Sequence, residues 1–107
     1  MLRMRDILEI ESDLVGALRE VFDPEIPVNV YDLGLIYDID VQDDRSVHIT
    51  MTLTAPNCPM ADQVVEETRS AAAGVEGVTS AEVTLVFEPE WSQDRMSEEA
   101  KLELGLL

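Results

Sequence analysis

The segment TAPNCPM, residues 54–60, carries the only cysteine of the chain, Cys58, between Pro56 and Pro59. It falls between an alternating run that reads as a strand and an amphipathic run that reads as a helix. Pro59 suits the first helical position, where a missing N–H leaves no bond unmade. A thiol placed there lies near the positive end of the helix dipole, among unpaired backbone N–H groups. Both favour the thiolate, the form that attacks electrophiles and ligates metals. Asp62, a turn later, opposes the effect. The other reading of Cys58 is a small buried hydrophobe.

The number of ligands limits what such a thiolate could hold. A structural zinc or an iron–sulfur cluster normally takes four protein ligands, and a catalytic zinc takes three. This chain offers one thiolate and one imidazole. His48 precedes Thr54 on an extended run and lies roughly 20 Å back at strand rise, out of reach of Cys58 within one subunit. On the polar side of its strand it reads as a solvated or cross-strand-paired histidine. Any cluster or iron at Cys58 would therefore be shared with a second copy of the chain, an outside thiol or a client. Such a site is labile, which suits a transient carrier and suits a tightly bound cofactor poorly.

The elements that must position this loop follow from periodicity. RDILEIESDLVGALREVF places Ile7, Ile10, Leu14, Leu18, Val21 and Phe22 on one stripe of a helix, started by Asp6 with Glu9 or by Ser12. DPEIP ends it, because Pro24 keeps Asp23 out of the helical region. LIYDIDV alternates, with Leu35, Tyr37, Ile39 and Val41 opposed by Asp38 and Asp40, and VHITMTLT alternates again after the QDDRS turn. These two runs predict an antiparallel hairpin with one buried face. MADQVVEETRSAAAGV predicts a second helix, burying Ala61, Val64, Val65, Thr68, Ala71 and Ala72 and ending near Gly74. SAEVTLVF predicts a third strand that buries Ala81, Val83, Leu85 and Phe87. The expected fold is α+β: a two-layer α-β-β-α-β domain whose small, mainly antiparallel sheet is covered on one face by two helices. Residues 88–107 follow as an extended segment around Pro89 and Trp91 and a short helix that Ser97 could cap. The whole chain, 1–107, reads as one domain with a core over about 6–87.

Composition narrows the partners. The 107 residues include 46% hydrophobic and 28% charged ones, as in globular proteins, and suffice for a single core. Seven Lys+Arg against 23 Asp+Glu give a formal charge of −16, which repels phosphate backbones and anionic membranes. The bases are scattered, and no G-x-x-G loop supports a KH-type reading of the α+β order. No apolar run approaches the ~18 residues of a membrane span, and MLRMRDILEIESD turns acidic too early for a signal peptide. One cysteine leaves no internal disulfide and fits a reducing cytoplasm.

Four segments taken together resemble a known family. DPEIP, DLGLIY, the T-x-x-x-C-P loop from Thr54 and the W-S-x-D-x-M-S tail, in this order and spacing, closely resemble the SufT/PaaD-like family, associated with iron–sulfur protein maturation. The resemblance runs from about Leu8 to Leu107. It implies a cytoplasmic, non-catalytic α+β protein that helps deliver clusters to apo-proteins, with partners in the assembly machinery and among apo clients. It implies a reactive cysteine at Cys58, with Thr54, Asp23, Glu25, Asp32 and Asn57 around one small surface site. PaaD relatives usually have a further cysteine-rich C-terminal region, and this chain stops at a short helix, so the SufT-like branch is favoured.

Each neighbouring residue also has a plainer role. Asp23 and Pro24 terminate the first helix, Glu25 is a solvated turn residue, and Asp32 caps a turn or contacts the cysteine loop. Gly34 allows a bulge or a close backbone approach. Trp91 covers the core or anchors a partner. Met96, Leu102, Leu104, Leu106 and Leu107 offer an apolar patch for a dimer or a client. Three functions follow: a transient cluster or iron carrier, a metal-free adaptor using Trp91 and the tail, and a thiol-dependent redox enzyme. The last lacks an arginine near the sulfur, since Arg69 lies three turns down the helix, and lacks an evident general base.

Overall fold

The computed structural model describes residues 6–23, 26–54 and 61–106. Helix α1, Ile7–Leu18, starts at Asp6, whose carboxylate accepts the Leu8 N–H at 2.9 Å. Its three- and four-residue spacing turns Ile10, Leu14 and Leu18 inward, and all three are fully buried. Strands β1, Ile36–Val41, and β2, Ser46–Met51, form the expected antiparallel hairpin. Helix α2, Ala61–Ala73, buries Val64, Thr68 and Ala72 and leads to β3, Ser80–Leu85. A 3-10 turn, Gln93–Arg95, precedes the short helix α3, Glu98–Glu103, where the Ser97 hydroxyl accepts the Ala100 N–H.

The sheet order is β1-β2-β3. The sheet is mixed, because α2 serves as a crossover and brings β3 back parallel to β2, in register from Ser46 with Ser80 to Met51 with Leu85. Both helices lie on one face: they pack on each other, α1 also meets β1, and α2 meets β3. Val47, Ile49 and Met51 of the central strand fill the core beneath them. On the open face Asp40, His48 and Glu82 share a row, and His48 Nε2 lies 2.7 Å from the Thr84 hydroxyl, the cross-strand pairing expected of that histidine.

Phe22 and Phe87, expected in the core, lie outside it, as do Ile7 and Tyr37. Phe22 is 52% exposed, because α1 stops at Leu18 and the helical period no longer applies to residues beyond it. Phe87 is 40% exposed, because β3 ends at Leu85 and alternation lapses with it.

Candidate functional site

The loop that contains Cys58 is fixed at both ends by regular structure. After β2, the Thr52 N–H donates to the Leu35 carbonyl and the Val86 N–H donates to the Met51 carbonyl, both at 2.8 Å. Thr52 and Leu53 are buried, and the half-buried Thr54 is the last described residue before α2 begins at Ala61. Cys58 and Asn57 lie outside the described residues, as does Glu25.

Beside that strand end sits the segment between α1 and β1. Val30 donates to the Val21 carbonyl, Leu35 donates to Val30, and Phe22 and Asn29 form an isolated bridge. Asp23 is buried at its neck. Its carboxylate accepts the Ile26 N–H at 2.9 Å and its own N–H donates to the Val28 carbonyl. The first helix has already ended at Leu18, capped by Arg19, so Asp23 does not terminate it as expected and instead closes the following turn. Asp32 is buried as well and takes the turn-capping role. It exchanges two 2.8 Å hydrogen bonds with the Asn29 amide, one through its carboxylate and one through its backbone N–H. Arg19 Nε lies 3.8 Å from the same carboxylate, with the guanidinium 5.2 Å above the Tyr31 ring.

The C-terminal tail clasps this segment along its backbone. The Trp91 indole donates to the Leu33 carbonyl at 2.7 Å, and the Ser97 N–H donates to the Asp32 carbonyl at 2.8 Å. Between them Gly34, at φ +78°, takes the Arg95 carbonyl directly against its Cα, where no Cβ fits. Met96 is 7% exposed and Leu104 is half-buried against the core. The tail patch expected from the sequence is therefore smaller: Met96 points inward because the 3-10 turn reverses the chain, while Leu102 and Leu106 stay exposed. Leu107 lies outside the described residues. Trp91, partly buried against the core cluster, takes the covering role.

A sequence profile of iron–sulfur cluster assembly proteins matches residues 11–85. The chain belongs to that family. A protein of Porphyromonas gingivalis called an Fe-S protein maturation auxiliary factor is 59% identical over 95% of this chain and 97% of its own length. The auxiliary factor SufT of Staphylococcus aureus is 36% identical over 80% of this chain and 98% of its own. An iron–sulfur cluster carrier protein of Mycobacterium bovis is 35% identical over 90% of this chain, which there makes up only 23% of the length. Among solved structures, a DUF59 domain from Bacillus anthracis superposes with a TM-score of 0.86, at 39% identity and covering 94% of this chain and 95% of that one.

In this member of the iron–sulfur cluster assembly family, the structure gathers Asp32, Trp91 and the tail at one end of the sheet, next to the strand end that leads to Thr54. Among the described residues no group of three or more His, Cys, Asp or Glu is placed to hold a metal ion. The carboxylates of Asp23 and Asp32 accept turn hydrogen bonds. The titration shifts that stand out fall elsewhere. Hydrogen bonds from Ser46 hold the Asp44 carboxyl below its usual range, while the Glu66–Arg69 pair lowers the acid and raises the base. Sequence reasoning missed the roles of Asn29 and Arg19 at Asp32. Asn29 left a legible trace in its N-x-x-D spacing, since such side chains bond backbone groups a few residues on.

Proposed function

We propose that the protein is a non-enzymatic accessory factor in iron–sulfur protein maturation, carrying a cluster or iron in transit, or targeting the machinery to clients, through Cys58. The observation that carries this reading is membership of the assembly family in a chain with a single thiol, sited between the braced end of β2 and the start of α2. The maturation-factor and carrier names of the relatives support it. One thiolate supplies one ligand. The rest of an iron or cluster shell comes from a second copy, an outside thiol or the apo client, so cargo leaves by ligand exchange as client thiolates replace the donor set. Retention would need a closed four-ligand site, and a single thiolate cannot provide one.

The test is complementation joined to reconstitution. A strain lacking the protein should lose activity of cluster-dependent enzymes, the wild-type copy should restore it, and Cys58→Ser should not. Anaerobic reconstitution with iron, sulfide and glutathione should give a labile visible chromophore only when Cys58 is present. Full restoration by the serine copy would remove the thiol from the mechanism. Restoration dependent on Cys58 with no chromophore in any condition would leave targeting, with the thiol as a contact.

A further inference from the structure

A shallow open groove of about 450 Å³ runs beside the start of β1, lined by Gly34, Ile36, Tyr37, Pro89 and Arg95. Ile36 and Tyr37 belong to β1, Gly34 precedes it, and Pro89 and Arg95 come from the tail. Among the described residues β1 is an outer strand, paired with β2 alone. Its register shifts between Ile36 and Asp38, which leaves Tyr37 at the irregularity without a residue opposite it on β2. The Tyr37 hydroxyl donates to the Pro89 carbonyl at 2.7 Å, which fixes the ring, and the Arg95 guanidinium lies 4.7 Å from the ring centre. Stacking engages the face of a guanidinium and leaves its edge N–H donors for a carboxylate fork. Arg19 and Arg69 each meet a carboxylate, yet Arg95 has none among the described residues, in a chain with 23 acids.

We propose that this groove docks an extended segment of an apo client that carries one carboxylate side chain with an apolar residue two positions away on either side. The carboxylate meets the free edge of Arg95, and the apolar side chains, which share its face of the extended segment, lie on Ile36, Tyr37 and Pro89. An extended segment fits because the groove is open along an unpaired strand edge, where main-chain groups can pair with it. A single carboxylate fits because a net charge of −16 repels an acidic run.

This inference deepens the maturation reading by naming how a client is held, and its test does not involve the thiol. Isotope-labelled protein is titrated with the peptide acetyl-Leu-Thr-Glu-Thr-Leu-amide and with its Gln-for-Glu twin. The Glu peptide should shift the amides of Gly34, Ile36 and Tyr37, and the twin should bind about two- to fivefold more weakly, as an exposed ion pair allows. Arg95→Gln should weaken the Glu peptide equally and leave the twin unchanged, while Cys58→Ser should bind like the wild type. Equal binding of the two peptides, shifts centred elsewhere, or no binding up to millimolar concentrations would each overturn the proposal. Restoration by the Cys58→Ser copy with intact peptide binding would sink the thiol reading alone, whereas Cys58-dependent complementation without peptide binding would sink the groove alone.

Discussion

At the scale of single residues, two glycines with opposite surroundings give a matched test. Gly34 has φ +78° and the Arg95 carbonyl packed against it, so an added Cβ meets both backbone strain and a main-chain atom that cannot swing away. Gly34→Ala should cost about 3 kcal/mol or more, strain and overpacking acting together. Gly16 sits inside α1 with open space around its Cα, and Gly16→Ala should stabilise by about 0.5–1 kcal/mol through helix propensity alone. Urea unfolding of both variants checks the pair. A Gly34→Ala protein as stable as wild type would mean that the tail does not press on this turn in solution. The close approach at Gly34 was legible in the sequence, where a glycine stands at the start of an alternating run. Its partner was not, because Arg95 is sixty-one residues away and no local pattern connects them. Met96 misled for the same reason, since a methionine among tail leucines looks exposed until the 3-10 turn folds it inward.

At the scale of elements, the helices and strands were legible because each buries one side only. Period 3.6 in α1 and α2 and period 2 in the strands came directly from the apolar spacing. The ends of the elements were less legible, as the exposed Phe22 and Phe87 show. The parallel pairing of β3 was hidden too, because alternation records which residues face the core and says nothing of strand direction. The candidate site was legible as a loop between β2 and α2 and illegible as an assembly, since the tail completes it from across the chain. That tail yields an element-scale prediction. Trp91→Phe keeps most of the ring packing and removes the donor to Leu33, so it should cost about 1 kcal/mol. Ending the chain after Glu88 removes the Trp91 and Ser97 bonds and the burial of Met96 and Ala100, and should cost at least about 3 kcal/mol. Denaturant midpoints measure both. A truncated chain of wild-type stability would reduce the tail to an appendage and would take the groove with it.

At the scale of the whole molecule, the net charge of −16 is spread over a body of 49 × 27 × 21 Å. At about 0.01 M salt the Debye length is about 30 Å, longer than the two shorter dimensions, so nearly every acid repels every other. At about 0.15 M it falls to about 8 Å, and only neighbours still interact. Unfolding spreads the charges apart, so self-repulsion weighs on the folded state and screening relieves it. The Arg69–Glu66 and Arg19–Asp32 pairs pull the other way, but the first is exposed and Arg19 is half-exposed, which makes each worth little. The thermal midpoint should therefore rise with added NaCl, with most of the rise complete by about 0.15 M. The shape of the curve separates causes: salt exclusion from apolar surface adds stability steadily toward molar concentrations, whereas screening saturates early. A flat or falling midpoint below about 0.15 M would mean that attraction among Arg19, Arg69, Arg95 and their neighbours offsets the excess of acid. The same screening reaches the groove, where the free edge of Arg95 is an isolated positive feature on an acidic surface. Added salt should therefore weaken a singly charged client segment only slightly, because the attraction it loses at Arg95 is partly offset by the repulsion it sheds from the rest of the molecule.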